Sequence, residues 1–244
     1  MIVLTAGVPR SGTVLVNAIV RTLLVQNGVS VIQTNPHGKE LVFLLQRLIR
    51  SGMQMYKVVL VHTHTWNDEC TRLAENNAHV VGFLSYRDPR DVCVSLIQLH
   101  ELAFESAIQA VEQYFSVFET VAMKLKPMLI PYELLVPNKH AFIFQIAQHL
   151  GLWSRLDQLT TVEEQTSLEK HRKVMEDVQL GKVETTRERQ NLHRKLYEDA
   201  TTLISDRHIQ SGASGRWRTE LTEDQQAELN KRFKPLLVRY GYQS

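Results

Sequence analysis

Five short runs of this chain are apolar at nearly every position, and the longer runs between them are apolar only at every third or fourth residue. The first pattern reads as β-strand buried on both faces, the second as amphipathic helix. Strands are expected at Ile2–Ala6, Val29–Gln33, Lys57–His62, His79–Ser85 and Met128–Pro131. Helices are expected at Thr13–Gln26, Lys39–Ser51, Trp66–Asn76, Asp91–Leu99, Ala103–Lys124, Asn138–Leu150, Val162–Asp177, Thr185–Ser205 and Glu223–Tyr240. Alternation of the two predicts an α/β protein with three layers, α/β/α, around a central, about five-stranded parallel sheet. Right-handed crossovers then gather the carboxyl ends of the strands, and with them the site, on one edge.

Composition narrows the class. The 244 residues, 43% of them apolar, suffice for the core of one domain spanning 1–244. The segment Val162–Asp199 holds 8 Lys/Arg against 9 Asp/Glu, which reads as a solvated helical face in a C-terminal lid. A formal net charge of +2 gives no long-range attraction for nucleic acid. No run approaches the roughly 18 apolar residues of a membrane span, and Met1–Ala6 lacks the basic start of a signal peptide. Cys70 and Cys93 read as free thiols of a reducing compartment, so a cytoplasmic protein is expected.

Candidate chemistry begins after the first strand. Gly7 and Gly12 bracket four residues, and the loop Val8-Pro9-Arg10-Ser11-Gly12-Thr13-Val14 leads into a helix. This is the first half of a phosphate-cradling Walker loop, whose backbone N–H groups converge on an anion at a helix N-terminus. The second half is missing. Thr13 stands where the lysine would be, and Val14 where the Mg²⁺-binding hydroxyl would be. Such a loop can hold a phosphate but is poorly equipped to transfer one, whereas a less charged sulfuryl group needs fewer cations, and Arg10 is placed to supply one.

A second constellation follows the fourth strand. In Arg87-Asp88-Pro89-Arg90-Asp91-Val92-Cys93-Val94-Ser95, Asp88-Pro89 stops the strand, and Ser95 lies eight residues after Arg87, about two helical turns along. Folding the turn back brings a guanidinium fork and a hydroxyl onto one anion; an exposed Arg-Asp pair capping a helix is the plainer alternative. On the third strand, alternation puts His62 and His64 on one face at the active edge if the strand continues. Histidine is the natural general base at neutral pH. A structural histidine hydrogen-bonded at a strand end and an H-x-H metal pair are the competing readings, the latter lacking a nearby third ligand.

Together these residues resemble the PAPS-dependent sulfotransferases, which use 3′-phosphoadenosine 5′-phosphosulfate. Val8–Thr13 is similar to their 5′-phosphosulfate loop in its arginine form, and Arg87–Ser95 to their 3′-phosphate motif. Gly212-Ala213-Ser214-Gly215-Arg216-Trp217-Arg218 is similar to their G-x-x-G-x-W segment, which closes over the 3′-phosphate. His62-Thr63-His64 resembles their K-T-H segment, with His62 in the lysine place and His64 in that of the catalytic base. The resemblance implies a P-loop NTPase-like fold with a helical lid and sulfuryl transfer from PAPS, leaving PAP, to an acceptor hydroxyl without a metal. It implies donor contacts from Arg10, Ser11, Gly12, Thr13, Val14, Arg87, Ser95, Tyr132, Gly212, Gly215 and Trp217, with Arg10 also catalytic. Tyr132-Glu133 is similar to the pair that meets adenine, and Thr166-Ser167-Leu168 to a Thr-Ser-Phe segment nearby.

Two departures stand out. Gln210-Ser211 precede Gly212 where the family carries basic residues, leaving Arg207, Arg216 or Arg218 to compensate, and Val14 removes a hydroxyl. The acceptor stays open among small molecules, glycans and lipids, as does monomer against homodimer. Phe104, Tyr114, Phe115 and Phe118 are expected in the core, one or two of them lining an acceptor pocket beside the loop Thr34–Gly38. A nucleotide kinase with a degenerate Walker loop and a non-catalytic nucleotide-binding protein are the alternatives.

Overall fold

The structure is a computed structural model, and it describes residues 1–36, 38–50, 57–75, 77, 79–179, 187–191, 194–198 and 212–243. Its centre is a five-stranded, wholly parallel sheet in the order β2-β3-β1-β4-β5, built from β1 (Ile2–Gly7), β2 (Ser30–Thr34), β3 (Lys57–His62), β4 (Val80–Tyr86) and β5 (Met128–Pro131). All five expected strands are present within a residue or two. The helices between them are α1 (Thr13–Gln26), α2 (Lys39–Arg50), α3 (Asp68–Glu75), α4 (Pro89–His100) and α5 (Phe104–Leu125). After β5 come α6 (Tyr132–Leu135), α7 (Lys139–His149), α8 (Leu156–Gln165) and α9 (Leu168–Gln179), and then β6 (Arg187–Asn191) and β7 (Arg194–Glu198). The chain closes with α10 (Trp217–Glu220), α11 (Glu223–Arg232) and α12 (Lys234–Tyr240).

Strand alternation divides the core in two. Ile2, Leu4, Ala6, Val59, Val61 and Leu84 face α2, α3, α4, α5, α11 and α12. Val3, Val58, Leu60, Phe83 and Ile130 face α1, α7 and α8. This is the three-layer arrangement, and it follows from handedness. The β1–α1–β2 crossover runs in the opposite direction along the sheet from the three that follow it, so right-handed connections place α1 alone of the crossover helices on its face. Chain leaving β1 and chain leaving β4 therefore diverge to opposite sides, opening a crevice between neighbouring strand ends.

Local chemistry explains where helices break. A single helix over Val162–Asp177 is replaced by α8 and α9. Thr166 turns its hydroxyl back onto the Val162 carbonyl at 2.7 Å, and Ser167 caps α9 by accepting from the Lys170 N–H at 3.1 Å. The expected helix Glu223–Tyr240 is split at buried Phe233, because Pro235 sits in the first turn of α12 and cannot continue α11. The helix expected over Thr185–Ser205 is wrong where it can be tested. Antiparallel β6 and β7 lie there, Arg187 opposite Glu198, so the expected lid is not wholly helical. A segment of alternating charges has no apolar stripe to separate a period of 3.6 from one of two.

Gly7 is the last β1 residue paired with β4, opposite Ser85, and it adopts φ 153°. A Cβ there would collide with the Ser85 carbonyl oxygen. Gly7→Ala is expected to cost about 2 kcal/mol or more through overpacking and strain, roughly 4–8 °C in Tm for a chain this size, read by calorimetry.

Candidate active site

The loop from β1 into α1 is stitched to the end of β4. Buried Ser11 places its hydroxyl 2.5 Å from the Val8 carbonyl oxygen, 3.0 Å from that of Ser85 and 2.8 Å from Ser85 Oγ. Thr13 Oγ1 lies 2.9 Å from the same Ser85 hydroxyl. These side chains shape the loop, and what it offers a ligand is backbone. Helix α1 starts at Gly12 (φ 78°) with no side-chain cap and no acidic residue in its first turn, so its first N–H groups and positive dipole end meet an anion unopposed. A Cβ on Gly12 would lie 2.7 Å from Tyr132 Cδ2, so the loop packs against that ring. Val14 is half-buried in the first turn and brings only its backbone.

Arg10 is held at φ 69°, a conformation few side-chain-bearing residues adopt, and its Nε donates to Ser95 Oγ at 2.9 Å. Two residues assigned to different phosphates are thus in direct contact. Ser95 is buried on α4, where the eight-residue spacing returns it to the crevice. Arg87, 6% exposed, donates from Nη2 to the Ala213 carbonyl at 2.5 Å and to Asp91 Oδ2 at 3.4 Å, and its guanidinium stands 4.5 Å from the Tyr132 ring centroid. Its Nε is buried without a hydrogen-bond partner among the described residues. An orphaned guanidinium N–H is costly unless something accepts from it, and an anion in the crevice would do so.

The carboxyl-terminal segment completes this side. Tyr132 Oη donates to the Gly212 carbonyl at 2.9 Å, and Asp91 accepts from the Gly215 N–H at 2.7 Å and the Trp217 N–H at 3.2 Å. Trp217 is buried, with the Arg90 and Arg218 guanidinium carbons 3.9 and 4.2 Å from its ring centre. That seat pins the segment to α4 and α11. Arg90 is itself clamped by Asp88 (2.7 Å), Asn230 (2.7 Å) and the Gln243 carbonyl (2.7 Å). Arg216 pairs with Glu220 at 2.6 Å, and Arg207, Gln210 and Ser211 lie outside the described residues.

The histidines separate at the strand end. β3 stops at His62, whose ring is buried on the α1 side with Nδ1 3.3 Å from Thr5 Oγ1; the Thr5 hydroxyl in turn donates to Asn17 Oδ1 at 2.9 Å. His64 is exposed and lies edge-on to His62, ring centres 5.1 Å apart. Its Nδ1 is 3.5 Å from the Gly7 carbonyl oxygen. A carbonyl only accepts, so a proton on Nδ1 leaves the basic lone pair of the neutral ring on Nε2. His64 lines a cavity of about 260 Å³ with Trp66, Tyr114, Val117 and Phe118, beside Gly7 and Pro9 of the loop. Tyr114 and Phe118 are the two aromatic residues of α5 that reach it; Phe115 is buried in the core. His37, from the neighbouring loop, lies outside the described residues.

Sequence reasoning missed Ser85, Asp91, Arg90 and Glu133 as organisers of the site. Glu133 accepts from the Asp88 N–H and from Tyr242 Oη, both at 2.9 Å. Burial raises its carboxyl above the usual range, against the lowering effect of those bonds and of Arg87. The same burial raises Tyr132, opposed by the Arg87 charge. Among the described residues no three His, Cys, Asp or Glu side chains are grouped to hold an ion.

A doubly wound parallel sheet with two anion-ready loops at its switch point defines a P-loop-like α/β protein whose loop has lost the Walker lysine. The sequence matches the sulfotransferase domain family over residues 2–241, and the chain belongs to that family. Similar folds include mouse sulfotransferase SULT7A1 complexed with PAP, with 14% identity, a TM-score of 0.65 and coverage of 97% of this chain and 84% of that one. They also include retinol dehydratase in complex with androsterone and the inactive cofactor PAP (16%, TM-score 0.59, 97% and 80%). A third is retinol dehydratase with retinol and PAP (17%, TM-score 0.60, 97% and 81%). No curated protein matches the chain in sequence.

Because burial raises the Glu133 carboxyl, the folded state holds its proton more tightly than the unfolded chain, and its ionisation weakens the fold as pH rises through the raised value. Glu133→Gln keeps an acceptor for the Asp88 N–H and reverses the other bond, its NH₂ donating to the Tyr242 oxygen. Its Tm is expected to equal or exceed that of the wild type at pH 7–8, with any gain vanishing at about pH 4 and below, where the wild-type carboxyl is protonated in both states.

Proposed function

We propose that this protein moves a sulfuryl group from PAPS to a hydroxyl of a small, largely apolar acceptor, without a metal. The observation that carries the donor assignment is the buried Nε of Arg87, without a partner among the described residues, beside Arg10 and Ser95, which are themselves in contact. Arg87 and Ser95 hold the 3′-phosphate. The loop from Arg10 to Val14 holds the 5′-phosphosulfate through its N–H groups, with the Arg10 cation opposing charge that builds during transfer. Tyr132, packed between Gly12 and Arg87, takes the adenine side, and the Gly212–Trp217 segment closes the far wall. When bound, PAPS supplies the activated sulfuryl group and PAP is its leaving part.

His64 takes the acceptor proton. It stands between the phosphosulfate loop and the cavity, so a hydroxyl seated among Trp66, Tyr114 and Phe118 meets the base and the loop together. The complexes of the similar retinol dehydratase contain retinol and androsterone, which supports a small-molecule acceptor. Buried, free Cys70 and Cys93 fit a reducing, cytoplasmic setting, and no helix among the described residues is long and apolar enough to cross a membrane.

Arg87→Ala is expected to weaken PAP about ten- to a hundredfold, the worth of a charged hydrogen bond, while adenosine 5′-phosphosulfate, which lacks the 3′-phosphate, changes little in calorimetric titration. Equal losses for the two ligands would remove the assignment. His64→Ala is expected to lower kcat by about 10²–10⁴ with PAP affinity nearly unchanged, both measured in excess EDTA, in which the wild-type rate is undiminished. A variant that keeps its rate would move the base elsewhere.

A further inference from the structure

Asp91 takes no part in binding or proton transfer as described above, yet its carboxylate is fully buried and every contact it makes leads to the donor site. Oδ2 accepts from the Gly215 N–H at 2.7 Å and from Arg87 Nη2 at 3.4 Å, and Oδ1 accepts from the Trp217 N–H at 3.2 Å. The backbone that meets it has a definite form. Gly215 lies at φ 81°, and Arg216 after it is right-handed helical at φ −58°, ψ −28°. Residues of opposite hand in succession turn the first and third N–H groups toward one point and form a nest, a concavity suited to an anion. Here the concavity of the closing segment is filled by a carboxylate of the protein itself.

We infer that Asp91 is a positioning residue, an internal anion that docks the Gly212–Trp217 segment on α4 before any donor arrives. The inference rests on the donor reading given above and adds a division of labour to it. The amides of Gly215 and Trp217 are committed to Asp91, so these two N–H groups serve docking, and the segment also carries the Gly212 and Ala213 carbonyls. Those carbonyls are held in turn by Tyr132 and Arg87. One carboxylate thereby orients Arg87 from α4 and, through the nest, fixes the carbonyl that orients it from the other side. Its charge is compensated by Arg87 and the two N–H groups, so it can sit beside a phosphate site. Asn in its place keeps the volume but turns an NH₂ donor toward donors.

The chain has three tryptophans, Trp66, Trp153 and Trp217, so 5-fluorotryptophan labelling gives three ¹⁹F resonances assignable by single Trp→Phe variants. In Asp91→Asn without ligand, the Trp217 resonance is expected to shift and broaden while those of Trp66 and Trp153 stay in place. PAP affinity is expected to fall about tenfold or more, and that for adenosine 5′-monophosphate less than about threefold, since the lost contacts serve the 3′ side. An unmoved Trp217 resonance with unchanged PAP affinity overturns the inference. Should all three resonances collapse, amide exchange in the unmutated protein decides. Gly215 and Trp217 N–H groups exchanging at the rate of free amides overturn the docking, and slow exchange upholds it. If the wild type binds no PAP, the donor reading fails, and the Trp217 signature still tests the docking by itself.

Discussion

The contact of Gly7 with Ser85 is the constraint on which the site depends. At the last rung between β1 and β4 no side chain intervenes on the glycine, and the Val8 N–H donates to the Ser85 carbonyl at 3.0 Å. Ser85 then gathers the hydroxyls of Ser11 and Thr13. The phosphate loop is therefore not a free excursion between strand and helix but is bound along its length to the neighbouring strand. Two residues beyond Ser85 the chain enters the segment Arg87–Ser95, so one serine sets the separation of the two loops. With that distance fixed, Arg10 can reach Ser95, and Tyr132 can rest against both Gly12 and Arg87.

Around this point the protein arranges positive charge with care. Arg90 and Arg87 belong to one short motif and have opposite fates. Arg90 is surrounded by acceptors, Asp88 and the Asn230 and Gln243 oxygens, and is spent on holding the carboxyl-terminal helices. Arg87 keeps a buried N–H unanswered among the described residues. The difference comes from neighbours rather than from the residue type. Asp88 caps α4 and faces Arg90, while Asp91 accepts from the Gly215 N–H at 2.7 Å and from Arg87 Nη2 at the longer 3.4 Å. Aromatic packing of Tyr86 with Phe118 (5.7 Å) and Tyr240 (4.9 Å) ties this corner to α5 and α12.

What could be read from the sequence follows the strength of each local signal. Strands buried on both faces announce themselves, and β5 is found at its expected bounds, Met128–Pro131. The loop of β1, the Arg87–Ser95 spacing and the Gly-Trp segment were legible because each is contiguous or bridged by one helix. Asp91 and Ser85 were not, since their roles arise only when segments 74 or 124 residues apart meet. The hairpin β6–β7 was hidden by charge alternation that suits either period. For the histidines, alternation fails at the point where it was needed: β3 ends at His62, and His64 reaches the cavity from a bend.

The cavity wall has a further consequence. Gln113, Tyr114, Val117, Phe118 and Val121 share one face of α5, whereas the residues proposed to hold the donor come from the ends of three strands and the tail of the chain. Gln113, Tyr114 and Val117, which lie outside the buried core, can be exchanged singly, each step altering the shape of the cavity, whereas Phe118 and Val121 are held by core packing. Replacing the donor would demand concerted change in four distant stretches. Such a layout favours lineages that diversify in what they modify while staying faithful to what they modify it with.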